Sequence, residues 1–329
     1  MIHTYYDIIS VDNLLSAWRD FAKGKRGKRD VQQFQLRLMD NILDLHVDLA
    51  SKMYEHGGYH AFSISDPKPR DIHKASVRDR LLHHAIYRIL FPFFGRIFIS
   101  DSYSCRIGKG THRALKRFRR FAGSVGANAT QQCFVLKCDI RKFFASIDQD
   151  ILYSILAEYI PDQDLLWLLK KVIFSFQSSK QGVGLPLGNL TSQLLVNIYM
   201  NEFDQFVKQE LKVRHYVRYA DDFVILSDTT RNLEKLLPEM SAFLKNRLRL
   251  DLHPDKVFIK TLSSGVDFLG WIHFPRYRVP RTATKRKMFR KLRVERKEGS
   301  LDSYLSLLSH GNAHDLSREA IILAQIRLL

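Results

Sequence analysis

The segment Arg214-His-Tyr-Val-Arg-Tyr-Ala-Asp-Asp-Phe-Val-Ile-Leu-Ser227 sets Asp221 and Asp222 side by side between two apolar runs. Like charges this close stay ionised cheaply only with a cation between or beside them, so the pair points to metal-ion chemistry. An Asp-rich hairpin turn has the same composition, and Tyr219-Ala-Asp-Asp222 alone does not separate the two readings. A third acid, Asp139, ends the apolar run Phe134-Val-Leu-Lys-Cys-Asp139, where a neighbouring hairpin tip could reach it. Asp139, Asp221 and Asp222 would then hold two divalent ions roughly 3.5–4 Å apart, the arrangement of in-line phosphoryl transfer. Oxygen-only ligands favour Mg2+, with Mn2+ able to substitute, over zinc.

Five residues beyond Asp139, Phe144 has two readings: a ring under the sugar of a bound nucleotide that rejects a 2′-hydroxyl, or a core aromatic beside Phe143. The run Gln181-Gly-Val-Gly-Leu-Pro-Leu-Gly-Asn-Leu-Thr-Ser-Gln-Leu-Leu-Val-Asn197 is a glycine-rich loop entering a helix. There Gly188 permits close backbone approach, and Asn189, Thr191, Ser192 and Gln193 offer hydrogen bonds to a substrate. Its GxGxxxG spacing is not a dinucleotide fingerprint.

These groups need a scaffold. Apolar periodicity predicts helices over 11–21, 31–54, 77–90, 111–122, 151–159, 165–174, 190–211, 231–248 and 284–297, and strands over 134–139, 214–219, 223–227, 257–261 and 268–274. That order of strand, helices, hairpin, helix and strands is an α+β arrangement rather than a doubly wound sheet. A chain of 329 residues is expected to divide into two or three packed parts, and Pro275 with Pro280 places a boundary near 275. His83-His84 read as helix surface, Gly311 and Asn312 make a turn of the His310 to His314 stretch, and Cys105, Cys133 and Cys138 read as buried small hydrophobes.

With 52 Lys+Arg against 34 Asp+Glu the net charge is +18, which implies a polyanionic partner, nucleic acid above all. The basic residues cluster. Lys23, Lys25, Arg26, Lys28 and Arg29 form a glycine-interrupted loop; Arg113, Lys116, Arg117, Arg119 and Arg120 flank Leu115 and Phe118 at helical spacing. The stretch 276–297 carries eleven Lys/Arg against one acid, Glu295, a local charge of +10. Apolar stretches such as 86–94 are too short to span a bilayer, and neither a secretory signal nor a CxxC pair is present, so no membrane and a reducing, cytoplasmic setting are expected.

Tyr219-Ala-Asp-Asp222, preceded by the Asp139 strand and by Gly188-Asn-Leu-Thr-Ser-Gln193, resembles the palm of a reverse transcriptase. Further blocks agree in order. Lys68-Pro-Arg70, Ser76-Val-Arg-Asp-Arg-Leu-Leu-His-His-Ala85 and Ser102-Tyr-Ser-Cys-Arg-Ile-Gly-Lys-Gly-Thr-His-Arg-Ala-Leu115 resemble the fingers of group-II-intron-like bacterial enzymes, and Leu252-His-Pro-Asp-Lys256 and Phe268-Leu-Gly-Trp271 resemble the later palm blocks. The resemblance covers about residues 60–275. It implies a right-hand polymerase fold with fingers (1–125), palm (126–275, part of 150–187 packing with the fingers) and a basic helical thumb (276–329).

It further implies Asp139, Asp221 and Asp222 as metal ligands and Phe144 as sugar gate, with Arg70 and Arg106 on the incoming triphosphate. Lys256 would lie near the leaving pyrophosphate, and Leu187, Gly188, Ser192, Gln193 and Tyr219 around the substrate. Phe268, Leu269, Gly270 and Trp271 would form a primer grip, and Lys285, Arg286, Arg290 and Arg293 would lie on the template-primer backbone. Leu187-Gly188 and Ser192-Gln193 stand where most reverse transcriptases have Gln-Gly and Ser-Pro, a pattern similar to diversity-generating retroelement enzymes. Those copy a structured template RNA into cDNA with errors opposite adenine and work with a small basic helical accessory protein, an oligomer. A defence-associated or retron-like enzyme shares the same palm. A non-catalytic RNA-binding splicing helper would be expected to lack a carboxylate, and none is missing.

Overall fold

The sheet that carries Asp139 is assembled from strands far apart in the chain. The computed structural model describes residues 4–65, 69–178, 180–294 and 300–325. The helices are α1 (Tyr5–Ile9), α2 (Val11–Ala22), α3 (Arg29–Leu36), α4 (Leu38–Ala50), α5 (Val77–Ile97), α6 (Thr111–Val125), α7 (Phe143–Ser146), α8 (Gln149–Tyr159), α9 (Gln163–Ile173), α10 (Leu190–Gln205), α11 (Thr230–Leu248), α12 (Thr282–Val294), α13 (Ser300–Leu308) and α14 (His314–Gln325). The strands are β1 (Tyr59–Ile64), β2 (Arg70–Ala75), β3 (Phe134–Asp139), β4 (Tyr216–Tyr219), β5 (Asp222–Ser227), β6 (Phe258–Thr261), β7 (Val266–Phe268), β8 (Trp271–His273) and β9 (Arg278–Pro280). They form an antiparallel β1–β2 pair, a central antiparallel sheet in the order β4-β5-β3-β6, and a β7-β8-β9 meander.

Side-chain caps start many of the helices: the side chain of Ser10 accepts from Asn13 N, Ser76 from Asp79 N, Asp148 from Ile151 N and Asp162 from Leu165 N. The sheet is buried on both faces, which is why β3 and β5 read as continuous apolar runs. Leu136, Cys138, Phe223 and Ile225 face the main core, while Val135, Val217, Val224 and Leu226 face a second core with Leu115, Phe118 and Phe268. The region around α8 and α9 packs against α1 and β1: Tyr5 N donates to Asp162 Oδ2 at 2.6 Å, and Tyr59 Oη lies 2.8 Å from Ser175 Oγ.

A third, small core of Met288, Leu292, Leu308, Ala313 and Ala320 holds α12–α14 together. It docks on the meander where Gly311 lies flat on Trp271: a Cβ at Gly311 would stand 2.1 Å from the indole. Arg278 Nε donates to His310 O at 2.6 Å, and the His112 and His310 rings are 4.0 Å apart.

Several elements differ from the sequence reading. The helix expected over 31–54 breaks at Arg37 (φ −124, ψ 44) into α3 and α4, and β1, β2 and β9 were not anticipated. α5 runs through Pro92 to Ile97, and the strand expected over 268–274 folds back at Leu269 (φ 49) and Gly270 (φ 89). Positive φ at both central residues is what a two-residue hairpin turn with right-handed strand twist requires. His83 is buried, 1% exposed, with Nε2 3.1 Å from His56 Nε2, and not on the helix surface; Cys105 is exposed while Cys133 and Cys138 are buried. His310 lies in a turn, as expected. Lys68 and residues 295–297, part of the expected fingers block and basic helix, lie outside the described residues. No described helix is long and apolar enough to cross a membrane.

Candidate active site

Strand β3 delivers Asp139 at its last residue, directly opposite Asp222, the first residue of β5, while β4 and β5 meet at Ala220-Asp221. Ile140 N donates to Asp221 O at 3.2 Å and His253 N to Asp139 O at 2.8 Å, tying the turn, the strand end and the β6 approach together. The period of two places Lys137, Asp139 and Asp222 on one face. Lys256 Nζ pairs with Asp139 Oδ1 at 2.8 Å and Lys137 Nζ with Asp222 Oδ2 at 3.3 Å. Asp222 Oδ1 is buried with no hydrogen-bond partner.

That environment disfavours ionised carboxylates. Burial pushes Asp222 up to about 7 against the opposing pull of Lys137, and burial with the Asp139 charge raises Asp221, partly countered by Lys256 and Arg70. A buried acceptor without a donor beside two more carboxylates fits an oxygen-preferring divalent cation. The described acids do not close into a ready-made cage. Mg2+ commonly takes one or two carboxylates and completes its shell with water and substrate phosphate, so the strand-end grouping suits it.

The other expected residues divide. Phe144 sits in the single turn α7, half-buried and edge-on to the buried Phe143 (5.6 Å), its carbonyl accepting from Leu185 N at 2.8 Å. Leu187 O accepts from His73 N of β2 at 3.0 Å, and Asn189 Nδ2 donates to His73 O at 2.8 Å, so the glycine-rich loop continues the β1–β2 pair. Gly188 (φ +108) has no room for a side chain, because a Cβ would stand 2.8 Å from Ile72 Cγ2. Arg70 is exposed at the start of β2 and close enough to Asp221 for its charge to be felt. Tyr219 accepts at its hydroxyl from Thr111 Oγ1, 3.1 Å away, and Gln193 is half-buried at the start of α10.

Three other expected groups lie in more enclosed settings. The Arg106 guanidinium is spent on carbonyls, Ile99 O at 2.6 Å, Ser102 O at 2.8 Å and Gly95 O at 3.1 Å, and so secures the loop after α5 rather than reaching toward a triphosphate. Ser192 is 1% exposed inside α10. Phe268 and Trp271 are buried against Phe118, Arg278 and Gly311, which leaves the Leu269-Gly270 turn as the part of that block open to a ligand. On α12, Lys285, Arg286, Arg290 and Arg293 line, with Phe289, a groove of about 350 Å³.

Two groups escaped the sequence reading. Lys137 had a signal, since it stands two residues before Asp139 in a strand. The other is the ion pair of Arg218 and Asp204, 1% and 0% exposed, on the opposite face of the sheet; Arg218 interrupts an apolar run, but nothing in the sequence couples β4 to α10.

Residues 65–273 match the family model described as Reverse transcriptase (RNA-dependent DNA polymerase). The chain is 27% identical over 245 residues to Protein YkfC of Escherichia coli K12, covering 63% of each chain. It is 25% identical over 271 residues to the Group II intron-encoded protein LtrA of Lactococcus lactis subsp. cremoris, covering 62% of this chain and 44% of that protein. Among solved structures it resembles telomerase from Candida albicans in complex with a fragment of telomeric RNA, with a TM-score of 0.53, 13% identity, and coverage of 80% of this chain and 54% of that one. The chain spans less than two thirds of the length of each of these proteins. At that identity the telomerase likeness shows the right-hand polymerase fold and no more.

Proposed function

Because the chain belongs to the reverse transcriptase (RNA-dependent DNA polymerase) family, we propose that it is an RNA-directed DNA polymerase that copies a structured template RNA into adenine-mutagenic cDNA, as in a diversity-generating retroelement. The observation that carries the polymerase reading is the pairing of Asp139 with Asp222 across β3 and β5, with Asp221 in the adjoining turn and an unpartnered buried oxygen on Asp222. All three acids are present, which argues against a non-catalytic splicing helper.

Two Mg2+ ions, or Mn2+ in their place, would be held by Asp139, Asp221 and Asp222 and supply the charge that stabilises in-line attack of the primer 3′-hydroxyl on the α-phosphate of a deoxynucleoside triphosphate. Arg70 contacts the triphosphate. Lys256, 2.8 Å from Asp139 and half-exposed, offers its charge or a proton where pyrophosphate leaves. Phe144 lies under the sugar, Leu269-Gly270 touches the primer, and the α12 groove follows the phosphates of the RNA–DNA duplex. Residues 1–125, 126–275 and 276–329 act as fingers, palm and thumb.

The mutagenic reading rests on the loop after Gly184. Leu187 is held by its carbonyl to β2, and in this reading its apolar side chain stands beside the nascent pair in place of a hydrogen-bonding group. A small basic helical accessory protein is part of this reading. The test is recovery of the native ribonucleoprotein and sequencing of its RNA and cDNA. One structured RNA with cDNA mismatched mainly at its adenines supports the proposal; a faithful copy of a dedicated small RNA, or repetitive untemplated DNA, moves the chain to the retron-like or defence class.

A further inference from the structure

Beneath the carboxylates, on the far face of the sheet, one guanidinium contacts four residues on three parts of the chain. Arg218 Nε and Nη2 bind Asp204 Oδ1 and Oδ2 at 2.7 and 2.6 Å, Nη2 also reaches Ser102 Oγ at 3.2 Å, and Nη1 reaches Asn197 Oδ1 at 3.4 Å. Nη1 also donates to Ala220 O at 3.1 Å. That carbonyl belongs to the turn between β4 and β5, and Ala220 holds φ 57, the left-handed region that a residue with a Cβ seldom adopts without support. Asp204 is in turn fixed by Tyr216 Oη at 2.7 Å. The backbone of Arg218 joins the same knot, with its N–H on Asp101 O at 3.0 Å and its carbonyl accepting from Tyr103 N at 3.0 Å.

A fully buried ion pair adds little net stability compared with apolar side chains of the same volume, so stability alone does not account for its place here. We propose that Arg218 is a positioning residue for the metal-binding carboxylates. Clamped by Asp204 on α10 and by Ser102, it holds the Ala220 carbonyl and thereby sets the turn that aims Asp221 and Asp222 at Asp139. This role rests on the polymerase reading for its consequence in catalysis, but its geometric content, a preorganised oxygen site for a divalent cation, does not.

The test uses the full chain in two variants. Arg218→Lys keeps the charge and loses the fork. The double variant Asp204→Asn with Arg218→Met keeps an acceptor for Tyr216, removes the buried charges together and removes the donor to Ala220. Calorimetric titration with Mn2+ in the presence of a template-primer duplex reads the site without requiring turnover, beside single-nucleotide addition, duplex affinity and thermal melting. In the variants that melt as the wild type does, Mn2+ binding weakens about ten-fold and kcat falls about ten-fold or more, the scale of a misplaced reacting group, while duplex affinity holds. Adding Ala220→Gly, which accepts the left-handed conformation without help, restores part of both. Unchanged Mn2+ binding and kcat in a well-folded variant overturn the proposal. Wild-type protein that adds no nucleotide while the variants still lose Mn2+ affinity would sustain the positioning role and remove the polymerase reading instead.

Discussion

Asp139 and Asp222 face each other as direct cross-strand partners, each with one oxygen on a lysine, Lys256 and Lys137 respectively. Like charges opposite one another weaken a sheet, and these two are tolerated because two ammonium groups share the load. Asp222 Oδ1 stays without a donor, and it is this oxygen that a cation would use. Asp222→Asn removes the charge with almost no change of shape. It is expected to bring nucleotide addition on a primed RNA template to background while leaving RNA affinity within about two-fold, since phosphate contacts elsewhere supply the binding. Comparable rates for the two proteins in a gel extension assay would sink the metal assignment.

The site was legible where chemistry is local in the sequence. Asp221-Asp222 sits between two apolar runs and Asp139 ends a third, so the strands and their meeting point could be read. What could not be read was long-range. The β1–β2 pair has weak apolar alternation and an exposed outer face, and its partnership with the Gly188 loop depends on His73 and Ile72, residues with no motif of their own. Arg106 stood in a recognisable block, but its carbonyl partners Gly95, Ile99 and Ser102 exist only once α5 has ended. The burial of Trp271 likewise depends on Gly311, forty residues of chain later and in a different core.

Leu187 gives a prediction about fidelity. Its carbonyl is fixed by His73 N at 3.0 Å, so a side-chain change there leaves the loop's anchor in place, and under the proposed function it would alter what faces the nascent pair. Leu187→Gln is expected to reduce misincorporation opposite template adenine several-fold while leaving errors opposite the other bases near their starting level. Sequencing of cDNA made from one defined RNA by both proteins is the measurement, and an unaltered error spectrum refutes the assigned cause.

Histidines shielded from water, His83 and His273 buried and His84 half-buried, predict a dependence of stability on pH. Burial lowers His83 well below the ordinary histidine range, brings His84 to about 4 with help from Lys25, and brings His273 to about 4 against the opposing hydrogen bond to Phe268. Each binds its proton less readily folded than unfolded, so the stability they contribute is fully present above pH ~6.5 and is lost as pH falls from there toward about 4. His273, 4% exposed, accounts for about 2 kcal/mol of that loss at pH 5. Denaturant unfolding at pH 7 and pH 5 checks this: His273→Gln should lose less between the two than the parent, and an equal loss would show that the proton is taken up elsewhere.

The last prediction separates backbone binding from chemistry. On α12 the cations Lys285, Arg286, Arg290 and Arg293 line one groove, far along the chain from the carboxylates and held by a core of their own. Contacts to phosphate release counterions, so each one removed should flatten the slope of log affinity against log salt by roughly 0.7–0.9. Arg286→Gln with Arg290→Gln is therefore expected to weaken binding of an RNA–DNA duplex at physiological salt and lower the slope by about 1.5, whatever the sequence of the duplex. Nucleotide addition at saturating duplex should stay within about two-fold of the parent, because these side chains act on the ground state and the transition state alike. A lower slope with retained turnover places the groove on the nucleic-acid backbone; an unchanged slope takes the duplex off this helix.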